Sequence, residues 1–93
     1  MMSQITIWKY PLRVYTETRE SIPISMPAGA EILCVQAQGQ EASIWALVVR
    51  QAELVPRVFR VYKTNRPIDQ NVRYIGTVVV MGQAPVFHVF EEL

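Results

Sequence analysis

Apolar and polar positions alternate along most of this chain with a period of two, the spacing that sends successive side chains to opposite faces of a strand. The most regular stretch is Val72 to Glu91. Val72, Tyr74, Gly76, Val78 and Val80 alternate with Arg73, Ile75, Thr77, Val79 and Met81. Gly82-Gln83-Ala84-Pro85 interrupts the run, and Val86-Phe87-His88-Val89-Phe90 resumes it. β-Branched and aromatic residues fill both arms and turn formers part them, the sequence form of a hairpin. The rest of the chain is expected to wrap around this pair.

Upstream, Gln4 to Tyr10 alternates Ile5, Ile7 and Lys9 with Thr6, Trp8 and Tyr10, and Pro11, which cannot donate to a ladder, is expected to stop it. Leu12 to Thr16 reads as a short extended piece and Glu17 to Glu20 as a polar connection. Ser21 to Met26 alternates again, with Pro23 demoting it to a sheet edge. Met26-Pro27-Ala28-Gly29-Ala30 is a tight turn, with Pro27 presetting φ and Gly29 free to take a positive one. Glu31 to Gln38 and Glu41 to Val49 flank Gly39-Gln40 as a second hairpin. The end of Glu41–Val49 is apolar on both faces, which predicts cover on both sides, by a second sheet or a partner chain. Arg50 to Pro56 reads as a loop with a possible helical turn at Gln51 to Leu54. Arg57 to Lys63 alternates cleanly, and Thr64 to Asn71 is a polar loop broken by Pro67.

About seven short strands, spaced roughly 8–12 residues apart and without 3.6-residue periodicity, predict an all-β fold. The expected architecture is a single small antiparallel sandwich or partly open barrel spanning 1–93. Ninety-three residues suit one domain, and a hydrophobic fraction of 51% argues against disorder. A core this small has little apolar surface to spare, so a homo-oligomer is expected. No apolar run approaches the ~20 residues of a membrane helix and no charged-then-apolar leader opens the chain, so a soluble, cytoplasmic protein with no membrane partner is expected. The single cysteine, Cys34, excludes an internal disulfide and reads as a small buried hydrophobe. Trp8, Tyr10, Trp45, Phe59, Phe87 and Phe90 are expected to serve the core first, with any excess facing a partner.

Charge changes the picture only locally. The total is +1, which disfavours extended nucleic acid as a partner. Between Arg50 and Arg73, however, six basic residues stand against two acidic ones, a local +4, while the remainder of the chain is −3. Within that segment Arg60 and Tyr62 share a strand face, Arg66 sits in the following loop, and Arg73 adjoins Tyr74. Guanidinium groups fork onto phosphates and aromatic rings stack on bases, so this interleaving suits a small anionic ligand. His88, alone on an apolar strand, reads as a hydrogen-bonded rim residue or as a donor to a ligand.

Other chemistries lack their parts. One Cys, one His and one Asp are too few for a zinc site, so no metal and no cofactor is expected. No nucleophile elbow surrounds Ser21, Ser25 or Ser43, and the four glycines are isolated rather than grouped in a phosphate loop. Glu91-Glu92, the one carboxylate pair, reads as a solvated tail.

The ordered set Ile7-Trp8-Lys9-Tyr10-Pro11-Leu12, Met26-Pro27-Ala28-Gly29-Ala30, Ile32-Leu33-Cys34-Val35-Gln36 with Gln38, and Ile44-Trp45-Ala46-Leu47-Val48 continues through the second half of the chain. There it comprises Phe59-Arg60-Val61-Tyr62, Thr64-Asn65-Arg66-Pro67-Ile68, Tyr74-Ile75-Gly76-Thr77 and Val86-Phe87-His88-Val89-Phe90-Glu91. This set resembles a family of small tailed-phage and prophage proteins catalogued as a domain of unknown function. The chain departs from it at Asn65-Arg66, where a glycine-containing loop is expected. No catalytic residue comes with the resemblance. It implies a phage accessory protein acting in the host cell, a setting in which counter-defence proteins sequester nucleotide immune signals.

The reading that joins these strands of argument is a non-enzymatic binding protein for a nucleotide-type anion. Arg60, Tyr62, Arg66 and Arg73 would clamp phosphate, Trp45 or Tyr74 would stack, and His88 would donate a hydrogen bond. The alternative is a protein–protein module using a strand edge or apolar patch, either an inhibitor of a host protein or a virion or assembly component. A third class is an enzyme cleaving such a nucleotide with His88 as general acid or base.

Overall fold

Seven antiparallel strands form in the computed structural model, which describes residues 4–12, 21–80 and 86–93. They are β1 (Ile5–Pro11), β2 (Ser21–Pro27), β3 (Glu31–Gln38), β4 (Glu41–Val49), β5 (Leu54–Lys63), β6 (Val72–Val79) and β7 (Val86–Glu92). They assemble into two sheets, a three-stranded one in the order β1-β4-β3 and a four-stranded one in the order β2-β5-β7-β6. The sheets face each other as an open sandwich, so the all-β expectation holds in its sandwich form. The extended piece after Leu12, the polar connection Glu17–Glu20 and the Gly82–Pro85 turn lie outside the described residues.

The period-two alternation decides which residues meet between the sheets. On β4, Ala42, Ile44, Ala46 and Val48 are buried in the core. Phe59 and Val61 of β5 and Phe87 and Val89 of β7 meet them from the other sheet, joined by Leu12 and Met26. The opposite face of β4 is only half covered: Trp45, Leu47 and Val49 keep intermediate exposure. Of the six aromatic residues expected in the core, Phe59 and Phe87 are buried there, while Trp8 lies 36% exposed on the edge strand β1. Cys34 is half-buried opposite Trp45 rather than enclosed.

Proline and turn chemistry set the strand limits. The Ala30 amide donates to the Pro27 carbonyl at 3.1 Å, which makes Gly29 the third turn residue, and its φ of 79° is the value a type II turn requires. Pro27 is thus the first turn residue and the last of β2, one position before the place where it would preset the turn. The possible helical turn at Gln51–Leu54 does not form. The Ala52 amide closes a turn onto Val49, and β5 begins at Leu54, with Pro56 inside it. Pro56 is tolerated because its nitrogen faces away from β2, toward β7, whose pairing with β5 starts only at Phe59. Asn65 takes φ 72°, so an asparagine supplies the left-handed position for which a glycine was expected.

The two sheets come closest along one seam, where β3 lies against β6. Both strands are irregular there, β3 between Ile32 and Cys34 and β6 between Tyr74 and Gly76. A Cβ added to Gly76 would stand 2.8 Å from Val35 Cγ1, so glycine is what lets the strands approach. The closing hairpin is therefore only partly the centre of the fold. β7 is flanked by β5 and β6, but β6 is itself a sheet edge.

Candidate functional site

On the outer face of the four-stranded sheet, four of the seven candidate residues come together. Arg60 pairs with Phe90, which pairs with Tyr74, while Tyr62 pairs with His88, which pairs with Thr77. Tyr62 and Tyr74 both meet the Phe90 ring edge-on, with centroids 5.5 and 5.3 Å away. The polar atoms of this face bond to one another. His88 Nε2 lies 2.9 Å from Thr64 Oγ1 and His88 Nδ1 lies 3.0 Å from Thr77 Oγ1, which in turn lies 2.6 Å from the Tyr74 hydroxyl. Arg60 donates to Glu92 Oε2 through Nε and Nη2 at 3.0 and 2.8 Å, and to Asp69 Oδ2 through Nη1 at 2.6 Å. Tyr62 also donates to Asp69 Oδ2, at 3.1 Å. The hydrogen bond to Glu92 raises the Arg60 pKa further, so this guanidinium is a permanent cation held between two carboxylates.

Arg73 points the other way. It pairs with Glu91 across β6 and β7, and Glu91 pairs with Phe59, which turns all three toward the other sheet. Glu91 is 5% exposed. Arg57 donates to both of its oxygens, Nε to Oε2 at 2.5 Å and Nη2 to Oε1 at 3.0 Å, and anchors itself to the Ala30 carbonyl through Nη1 at 2.7 Å. Arg73 Nη2 adds a bond to Oε1 at 2.7 Å. Burial alone would raise the Glu91 pKa. The hydrogen bonds and charges of Arg57, and then of Arg73, outweigh it and hold the carboxyl below its ordinary value. Beside this cluster a cleft of about 530 Å³ opens at the seam of the sandwich, lined by Gly29, Glu31, Leu33, Arg57, Arg73 and Ile75, among others.

The seven residues singled out from sequence therefore do not form one clamp. Arg60, Tyr62, Tyr74 and His88 share the outer face of one sheet, and Arg73 faces the inside of the same sheet. Arg66 is exposed in the 64–71 loop, with its amide bonded to the Lys63 carbonyl. Trp45 lies on the outer face of the other sheet, with the Lys9 ammonium 5.6 Å above its ring. The excess charge of the Arg50–Arg73 segment is also offset in three dimensions. Glu91 and Glu92 return on β7 to meet Arg57, Arg60 and Arg73. Glu91 is no solvated tail. Its place in the Phe87, Val89, Glu91 parity, the buried face of β7, was the signal that it points inward. Sequence reasoning also passed over Arg57 and Asp69, the partners that fix Glu91 and Arg60.

The outer face of the three-stranded sheet is of a different character. Register places Ile5 beside Val49, Ile7 beside Leu47 and Lys9 beside Trp45. Ile5 and Ile7 are 64% and 55% exposed. The Lys9 ammonium reaches across β4 to Gln38 Oε1 at 3.0 Å, so the charge lies along one end of the patch and leaves its middle apolar.

Compared with family models, residues 3–93 match the one described as Domain of unknown function (DUF7352). The chain belongs to the DUF7352 family. No curated protein and no solved structure matches it. The match takes in all seven strands, so the sandwich described above is the fold of a DUF7352 domain, and both outer faces and the seam cleft are parts of that domain.

Proposed function

We propose that this DUF7352 domain is a non-enzymatic binding module that holds a protein partner against the outer face of its three-stranded sheet. The observation that carries the reading is the in-register apolar row Ile5–Val49 and Ile7–Leu47, with Trp45 beside it, on a face that no described element covers. Contiguous exposed apolar surface of this kind, rimmed by polar residues such as Lys9 and Gln38, is what protein interfaces use. The alternative chemistry is less well supplied. Arg60 is held by two carboxylates and both ring nitrogens of His88 are held by threonines, which leaves little on that face for a phosphate or a reaction. The wider setting, a phage-encoded protein whose partner belongs to the bacterial host, belongs to the same proposal and rests on the resemblance of the segments quoted above.

The test compares the wild-type chain with the Ile5→Thr/Ile7→Thr variant as bait in bacterial lysate. Threonine keeps β-branching and strand propensity while removing apolar surface. Retention of a stoichiometric protein by the wild type and its loss from the variant support the reading. Equal capture by both baits overturns it.

A second reading keeps the small anion but moves it to the seam cleft. It is favoured by Arg73, whose Nη2 is bonded to Glu91 while Nε and Nη1 make no hydrogen bond among the described residues. A panel of cyclic and linear nucleotides measured by melting shift decides it, since ligand binding to the folded state raises Tm by linkage. A flat panel rejects this reading and leaves the first intact.

A further inference from the structure

Among the described residues the sandwich has four edge strands, and three of them are guarded against pairing. On β2, Ala28 donates to Glu53 in line with the register, so the even residues bond to β5 and the odd ones face outward. Pro23 and Pro27 are both odd. Two of the outward positions of this edge therefore carry no N–H. On β3 the extra residue Leu33 breaks the register, and on β6 Ile75 does the same. Proline and bulges at such places are the usual defences of a sheet edge.

β1 has neither defence along Ile5–Lys9. It runs in unbroken register from Ile5 opposite Val49 to Pro11 opposite Ser43. The Arg50 amide donates to the Gln4 carbonyl and the Leu12 amide to the Ala42 carbonyl, which fixes the even residues of β1 as those bonded to β4. Ile5, Ile7 and Lys9 consequently turn their N–H and C=O groups to the open side, where no described strand lies. The sequence there, Ile-Thr-Ile-Trp, has high strand propensity. Lys9, the residue type that most often blocks an edge, has its ammonium drawn over Trp45 to Gln38 and away from the edge.

We infer that the open edge of β1 pairs antiparallel with β1 of a second copy of this chain, joining two three-stranded sheets into one of six strands. One register satisfies the geometry best. With Ile7 on the two-fold axis, Ile5 stands opposite the second copy's Lys9 and Ile7 opposite the second copy's Ile7, and all three outward amides and their carbonyls are paired. A register centred on Lys9 opposes like charges and brings Pro11, which has no donor, into the ladder. Pairing through Ile7 also joins the two apolar outer faces into one continuous surface, because Ile5 and Ile7 lie on that face in both copies. The inference goes beyond the proposed function. It stands on the backbone of the edge, and a monomer would still own the apolar face.

The test is sedimentation velocity over a range of concentrations on the wild type and on Ile7→Pro. Proline at position 7 deletes one outward N–H and none of the bonds to β4, and the chain already carries a proline at the outward position 11 of the same strand. The wild type is expected to sediment at twice its 10.7 kDa chain mass and Ile7→Pro at once that mass, with unchanged circular dichroism. A wild type that stays monomeric, or an Ile7→Pro variant that folds and still dimerises, overturns the inference. Should Ile7→Pro fail to fold, amide exchange on the wild type decides. Protection of the Ile5, Ile7 and Lys9 amides that grows with protein concentration supports edge pairing, and protection independent of concentration rejects it. A wild type that dimerises but retains no more protein from lysate than Ile5→Thr/Ile7→Thr would reject the function proposed for the face and leave this pairing standing.

Discussion

The Glu91 carboxylate is clasped by Arg57 through two parallel hydrogen bonds, at 2.5 and 3.0 Å, inside the mouth of the sandwich. A fork-on-fork pair of this kind is directional as well as charged, and it ties β7 to β5 two residues beyond Phe59. Its burial makes it costly to halve. Glu91→Ala leaves the Arg57 guanidinium partly enclosed without its counter-ion, and a loss of about 3 kcal/mol is expected. Urea unfolding checks it; a change below about 1 kcal/mol would count against a structural role for the pair.

The same carboxylate makes stability depend on pH. Its pKa is lowered in the folded protein from an ordinary value of 4.5. The folded state therefore binds this proton less readily than the unfolded chain does. The contribution is fully present above about pH 4.5 and is lost as pH falls through the lowered folded value. Melting temperature is expected to drop across that acidic window in the wild type, and to drop less in Glu91→Gln, which has no proton to take up there. Parallel curves for the two proteins would contradict the linkage.

Gly76 and Val35 form a contact that admits no Cβ. Gly76→Ala places a methyl 2.8 Å from Val35 Cγ1 at the β3–β6 seam, and overpacking there is expected to cost about 1–3 kcal/mol. Val35→Ala opens that space at its own cost. The double variant is expected to lose less than the two single losses added together. Thermal melts of the four proteins in the cycle read the coupling directly, and strict additivity would mean that the strands part rather than press.

Asn65 holds the left-handed position that the loop after β5 needs, at φ 72°. Asn65→Ala is expected to lose about 1 kcal/mol, whereas Asn65→Gly is expected to stay within about 0.5 kcal/mol of the wild type. Equal losses in the two variants would place the effect in the side chain instead of the backbone.

Much of the fold was legible because strands are written locally. β3, Gly39-Gln40 and β4 follow from alternation and a turn signal alone, and the edge role of β2 follows from Pro23. Other features were hidden by distance along the chain. Leu54 and Val55 looked like loop because Pro56 follows them, and only the absence of β7 beside that part of β5 makes the proline harmless. The basic segment looked like a site because its carboxylate partners, Glu91 and Glu92, lie 32 to 34 residues away from Arg60 and Arg57. Arg60 and Tyr62 do share a face, but Arg73 is turned from them by one step of parity and Trp45 belongs to another sheet.

By itself the sequence determined that seven short strands form, the turns at Gly29 and Gly39, and side-chain parity wherever no bulge interrupts it, since these depend on period, β-branching and the residues that bend a chain. The bulges at Leu33 and Ile75 reset that parity, so Tyr74 shares a face with Thr77 and not with Gly76 and Val78. Tertiary structure decided which strands became neighbours and which edges stayed open. Non-local pairings such as β1 with β4 and β5 with β7 are selected by packing two apolar faces together, and no local pattern encodes the partner. That selection spent Arg57, Arg60 and Arg73 on buried and surface carboxylates, and it left Ile5 and Ile7 on an edge strand whose outer side no described strand pairs.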